Sequence, residues 1–234
     1  MRNAVAVRCF CAHTPTTEDD LRYAILSDIH GNLLALERVL VDAKRQEAEA
    51  ILCLGDAGSD ACLDRLRQVG AELAFGNWEV SQWSYLREDN QAWVRDLSPM
   101  LAGDTFLAVH AAPWWPEGLS NVESFMDYIL QQGVKWRVLF PYLDRDKDAL
   151  WQAVAELENA SRRILFHGHT HVQMAHRVGP TGRMVKLRQR EFILDRRARY
   201  VVGVGSVGRP EDGPTPKYVL YDDETAAVHL RSSS

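Results

Sequence analysis

The sequence predicts an α/β protein, and three features carry that expectation. Short apolar runs of strand length alternate with segments whose apolar residues recur at helical spacing. Nearly every such run ends in Gly, Asp, Asn or His, the residues of turns and polar sites. The chain has 234 residues, 46% hydrophobic and 25% charged, enough for one domain with a substantial core.

Residues 23–26 form an apolar run that reads as a buried strand, and Ser27-Asp28-Ile29-His30-Gly31-Asn32 follows. Leu33 to Leu36, Val39, Leu40 and Ala43 then continue at helical spacing. Asp28 and His30 are two residues apart, so an extended chain would point both the same way. They fall at the carboxyl end of a strand, where open α/β sheets place ligands. A carboxylate oxygen and an imidazole nitrogen suit a divalent ion such as Mn, Fe or Zn. An aspartate at that place also suits a helix N-cap.

The pattern then repeats. Residues 50–54 are a second apolar run, ending in Gly55-Asp56, and 60–69 read as a short amphipathic helix. Residues 73–75 lead into Gly76-Asn77-Trp78-Glu79. This alternation predicts βαβ units and a largely parallel start to the sheet. A helix is expected over 79–97. Residues 105–109 form another strand, which ends in His110.

From Trp114 to Ser161 the chain is aromatic, with helices expected near 122–132 and 147–159 and breaks at Pro116 and Pro141. It reads as a cap inserted over the strand ends. Residues 163–166 form a strand that delivers His167-Gly168-His169-Thr170-His171. Shorter runs at 172–178, 184–187, 199–204, 218–221 and 226–230 predict a second, mostly antiparallel sheet.

The formal net charge of −5 makes the chain a poor candidate for gripping long nucleic acid. No apolar run reaches the roughly 18 residues of a membrane span. Four cysteines in 234 residues suit a cytoplasmic protein more than a disulfide scaffold. Residues 1–20 read as an N-terminal arm: 4–7 is too short for a signal-peptide core, and nothing completes a metal set with Cys9, Cys11 and His13.

Asp28-x-His30, Gly55-Asp56, Gly76-Asn77, His110 and Gly168-His169-Thr170-His171, taken in order, resemble the calcineurin-like metallophosphoesterase superfamily. Val204-Gly205-Ser206-Val207-Gly208-Arg209-Pro210 is similar to a stretch near the end of its small YfcE-like phosphodiesterase branch. The resemblance implies a four-layer αββα sandwich over 21–234, with a small helical cap at about 114–161. It implies two divalent ions, Mn²⁺ foremost with Fe, Ni or Zn as alternatives. Asp28, His30, Asp56 and His171 would surround one; Asp56, Asn77, His110 and His169 the other. Asp56 would bridge them, and with Asn77 and His110 would serve catalysis by a metal-bridging hydroxide. The implied activity is phosphodiester hydrolysis on a small phosphodiester or nucleotide. Alternatives are a phosphoanhydride hydrolase of the dinucleoside polyphosphate type and a non-catalytic scaffold with the same fold.

The sequence departs from the family at Trp78, where many relatives carry a histidine thought to protonate the leaving group. Indole has one N–H and is no acid near neutral pH. His167 is the one neighbouring histidine without a role. All seven tryptophans lie between 78 and 151, either as a stacking platform for a base or as cap core or a homo-oligomer contact. Trp78 and Trp114, next to ligand motifs, and Asn32 are the candidate substrate contacts. Lys186, Arg188 and Arg190 alternate along an expected strand, as a phosphate-binding face or a solvated one.

Overall fold

The computed structural model describes residues 21–233. The expected arm at 1–20, with Cys9 and Cys11, lies outside them. Strand β1 (Arg22–Leu26), helix α1 (Leu33–Arg45), β2 (Ala50–Cys53), α2 (Asp60–Gln68) and β3 (Glu72–Leu73) open the chain. β1, β2 and β3 are parallel neighbours, as the βαβ pattern requires. Asn32 starts α1: its side-chain oxygen accepts from the Ala35 N–H at 3.1 Å. Lys44 and Arg45 close it, where cations suit the helix dipole.

Next come α3 (Asn77–Gln82), α4 (Glu88–Arg95), β4 (Met100–Ala102) and β5 (Phe106–Val109). Then follow α5 (Val122–Gln132), α6 (Trp136–Leu139), α7 (Lys147–Asn159) and β6 (Ile164–His167). The chain finishes with β7 (Gln173–Val178), β8 (Met184–Lys186), β9 (Glu191–Ile193), β10 (Arg199–Val204), β11 (Lys217–Asp222) and β12 (Ala227–Ser232). Two six-stranded sheets result, ordered β3-β2-β1-β11-β12-β9 and β4-β5-β6-β10-β7-β8.

Side-chain alternation along the strands builds the layers. Ala24, Leu26, Tyr218 and Leu220 face Leu36, Val39, Leu63 and Leu66 of α1 and α2. The intervening residues Ile25, Val219 and Tyr221 face the other way and meet Phe106, Phe166 and Val202 between the sheets. Leu107, Leu165 and Val201 of the second sheet turn outward onto Leu150, Ala153, Val154 and Leu157 of α7. The order is helices, sheet, sheet, helix: the expected αββα sandwich. Strands buried on both faces explain why their sequences are continuously apolar. Among the described residues no helix is long and apolar enough to cross a membrane.

Four expectations need correction. The late strands do not form a separate antiparallel sheet. β11, β12 and β9 complete the first sheet, while β10, β7 and β8 complete the second, so both are mixed. The helix over 79–97 is broken into α3, a 3₁₀ turn at Trp83–Tyr85 and α4. The basic strand through Lys186, Arg188 and Arg190 stops at Lys186, and Arg190 instead donates to Ser232 Oγ at 2.7 Å. The cap is smaller than 114–161, because α7 is the outer layer of the second sheet and only the chain before it stays at the strand ends.

Candidate metal centre

The loops after β1, β2, β5 and β6 converge, and backbone bonds lace them together. Asp28 N–H donates to Gly55 O at 3.1 Å, His30 N–H to Asp56 O at 2.9 Å, and Gly168 N–H to His110 O at 2.9 Å. The loop after β10 joins them: Gly208 N–H and Ser206 Oγ both donate to Asp28 O, at 3.0 and 2.8 Å. Asp28 and His30 are not extended, as their spacing suggested. Asp28, His30, Asp56, His169 and His171 all have positive φ, between 48° and 63°. This left-handed region is one that Asp and His tolerate better than most residues, at a cost on the order of 1–3 kcal/mol each. The side chains therefore converge because of tight loops rather than strand alternation. Gly76 and Gly168 are needed for close approach: a Cβ at Gly76 would collide with the Asp56 carboxylate and the His110 ring, and one at Gly168 with Ser27 Oγ.

Hydrogen bonds fix which ring nitrogen each histidine turns inward. His110 Nδ1 donates to Leu54 O at 2.8 Å, so its Nε2 lone pair faces Asn77 Oδ1 at 3.0 Å. His171 Nδ1 donates to Arg209 O at 2.9 Å, which leaves Nε2 3.2 Å from Asp28 Oδ1 and 3.0 Å from His30 Nε2. His169 donates from Nε2 to Phe140 O at 3.1 Å, freeing Nδ1, and its backbone N–H donates to Asp28 Oδ2 at 2.9 Å. Asp56 faces both groups: Oδ1 lies 3.5 Å from His110 Nε2 and Oδ2 lies 3.7 Å from His30 Nε2.

Lone pairs thus point at lone pairs, and Asp28 Oδ1, fully buried, has no hydrogen-bond donor among the described residues. Asp28 and Asp56 are buried side by side, and Glu79 is buried behind Asp56. Carboxylates packed this way need a compensating cation. Asp28, His30 and His171 bring ligand atoms within 4.8 Å of one another, and so do Asp28, Asp56 and His110. The O and N donors fit two divalent ions. Asp28 is shared by both groups, while Asp56 reaches both through different oxygens.

Burial pushes the imidazoles of His30 and His169 down, to about 4 and about 3, so both are neutral and able to ligate at pH 7. Burial also opposes charge on His171, but the Asp28 carboxylate outweighs it and raises that imidazole. Burial and the Asp28 charge push Asp56 well up. Purified protein reloaded with Mn²⁺ and freed of loose ions should carry close to two ions per chain by elemental analysis. A value of zero with every divalent metal tried would remove this centre.

Glu79 is the residue that sequence reasoning passed over. It is 1% exposed. Its Oε2 accepts from the N–H groups of Asp56 and Gly76, and its Oε1 from Ala57, each at 2.8 Å. It ties the loop after β2 to the start of α3. The only signal in sequence was its place three residues after Gly76, a capping-box spacing. Burial and the neighbouring Asp56 push its carboxyl up to about 7.

The candidate substrate residues are placed differently. Asn32 borders an open hollow beside the centre. Trp78 donates its backbone N–H to Asp56 Oδ1 at 2.7 Å, while its half-buried ring packs on the core beneath the first sheet's helices. Trp114 packs on the α7 side, and Trp83, Trp93 and Trp115 join the helix-layer core. The tryptophans are therefore spread over separate clusters, and most serve packing. His167 is wholly buried and held at about 4 by that burial, so it cannot reach a substrate with a proton.

A calcineurin-like phosphoesterase superfamily domain matches residues 21–226. The uncharacterized protein MJ0912 of Methanocaldococcus jannaschii is 24% identical over 88% of this chain and 85% of its own length. A metallophosphoesterase from Sphaerobacter thermophilus superposes with a TM-score of 0.66 at 23% identity, covering 92% of this chain and 89% of that one. TT1561 of Thermus thermophilus superposes with a TM-score of 0.51 at 14% identity, covering 92% and 100%.

Proposed function

This chain belongs to the calcineurin-like phosphoesterase superfamily, and on that premise we propose that its metal-dependent phosphoester hydrolysis is directed at a small phosphodiester, with Mn²⁺ as the working ion. Asp28, His30, Asp56, His110 and His171 would hold the divalent ions, which would supply Lewis-acid polarisation of phosphoryl oxygens and a nucleophilic water near neutral pH. Asn77 and His169 complete the proposed ligand set.

The observation that carries the substrate class is the missing acid. Trp78 stands where a histidine would serve, its backbone N–H donates to Asp56 and its indole, which is no acid, packs against the core. His30 and His169 are neutral at pH 7. A departing oxygen must therefore carry its own negative charge, which favours aryl esters and phosphoanhydrides over simple alkyl esters. Asn32 borders the hollow beside the centre where such a substrate would lie.

The test is a panel with added Mn²⁺: bis-nitrophenyl phosphate, nitrophenyl phosphate, a series of methyl aryl diesters with differently substituted phenols, and a dinucleoside polyphosphate. The diester should lead, and log rate should fall steeply as leaving-group pKa rises. Trp78→His should flatten that slope, with gains on poor leaving groups well below the roughly 10²–10⁴-fold of a tuned acid. A shallow native slope with chemistry limiting would mean another residue gives the proton. Preference for the polyphosphate would turn the reading to anhydride hydrolysis. A reducing, cytoplasmic setting is supported by Cys53 and Cys62, both free and buried.

A further inference from the structure

A row of arginines leaves the metal centre along α1. Arg209, whose backbone carbonyl holds His171, is exposed, and its charge acts on His30 and Asp56. Beside it a hollow of about 130 Å³ is lined by Asn32, Leu34, Arg38, Gly208, Pro210 and Pro214. A second hollow, of about 390 Å³, is lined by Arg38, Arg45 and Arg231 with Val41 and Asp42. Arg38 lines both, so the two hollows adjoin along α1 and are treated together as a trough. Its length follows α1, whose 13 residues span about 20 Å.

The carboxylates of this trough already have partners. Glu37 takes Arg65 at 2.7 Å, and Asp42 accepts from the buried Tyr218 hydroxyl at 2.7 Å and from Arg231 at 3.5 Å. Arg38 and Arg45 are left without a carboxylate among the described residues, whereas Arg231 is held by Asp42 at 3.5 Å. The chain as a whole carries −5, so two free arginines along one helix face beside the site, Arg38 and Arg45, are a local departure from the acidic balance. Leu34 is 66% exposed at the near end, and with Pro210 and Pro214 it offers apolar surface before the first arginine.

We propose that this trough binds the remainder of the substrate: an apolar moiety against Leu34, Pro210 and Pro214, and a second phosphate at Arg38. The proposal rests on the phosphoester reading of the metal centre and narrows it to substrates with two phosphates separated by an organic unit, as in a nucleoside bisphosphate ester. Arg38 sits about 9 Å along the helix from Asn32, at 1.5 Å per residue. Arg45 lies beyond it, further along that helix face.

Equilibrium binding tests the trough apart from turnover. Metal-loaded protein is titrated by calorimetry with thymidine 3′,5′-bisphosphate and with thymidine 5′-monophosphate. The bisphosphate should bind about tenfold tighter, consistent with one charge-assisted contact. Arg38→Ala should bring the ratio to about one, and Arg38→Lys should keep most of it. Arg38 is exposed, so neither change threatens the core. Added salt should shrink the ratio. Equal affinities in the parent, or a ratio that survives Arg38→Ala, would overturn the trough. If the ratio behaves as stated but no diester is cleaved, the trough stands and the diesterase reading falls.

Discussion

Asp56→Asn should lower turnover of an aryl diester by at least about a hundredfold, the usual scale for losing a ligand or its support. Asp56 reaches toward both ligand groups, with Oδ1 3.5 Å from His110 Nε2 and Oδ2 3.7 Å from His30 Nε2. Replacing the carboxylate by an amide removes one negative charge from both at once. The amide also has one oxygen where the carboxylate had two, and that oxygen is already wanted by the Trp78 N–H. Asn is nearly isosteric, so the loops should hold. Without metal the variant should unfold no lower than the parent, because Asp56 is buried against the like charge of Asp28. The two readouts, kcat with metal and unfolding temperature without it, should move in different directions. Near-normal turnover with metal bound would show that Asp56 does not join the two sites.

Glu79→Ala should be the most destabilising single change at the centre. It strands the N–H groups of Asp56, Ala57 and Gly76 in a buried place. Each unsatisfied donor costs about 1–3 kcal/mol, so the sum approaches much of a typical domain's 5–15 kcal/mol. At roughly 2–4 °C per kcal/mol for a chain of this size, unfolding should come on the order of 10 °C lower or more. Metal retention should fall with it, since Asp56 and the start of α3 lose their common anchor. Glu79→Gln separates the two effects. It keeps the shape and some acceptor capacity, so it should lose less stability while still loosening the ions. A Glu79→Ala protein within about 2 °C of the parent, retaining two ions, would show that the carboxylate does not position this loop.

The sequence alone determined the elements that are local in origin. β1, β2, β5 and β6 are legible because strands buried on both faces must be apolar throughout. The helix α1 is legible from its apolar spacing and from Asn32 as its cap. The inventory Asp28, His30, Asp56, Asn77, His110, His169 and His171 is legible because each residue follows a strand run, at a glycine-marked turn in every case but His110. Trp78 was also visible as the place where the usual acid is missing.

Tertiary structure decided the rest, because those features depend on partners far away in the chain. Nothing in residues 217–232 says that β11 and β12 join β1 while β10 joins β6; that choice comes from which faces remain to be covered once the first strands are paired. Helix α7 reads locally like a cap helix, yet Leu150, Val154 and Leu157 find Leu107, Leu165 and Val201 on the second sheet. Convergence of Asp28 with His30 looked like a property of extended chain, but left-handed turns at both residues set it, and backbone bonds to Gly55 and Asp56 hold those turns in place. The role of Glu79 is of the same kind. An acidic residue in a helical first turn reads as solvated, and only the folded loops bring three amide donors onto its carboxylate, where burial turns an ordinary side chain into the anchor of the centre.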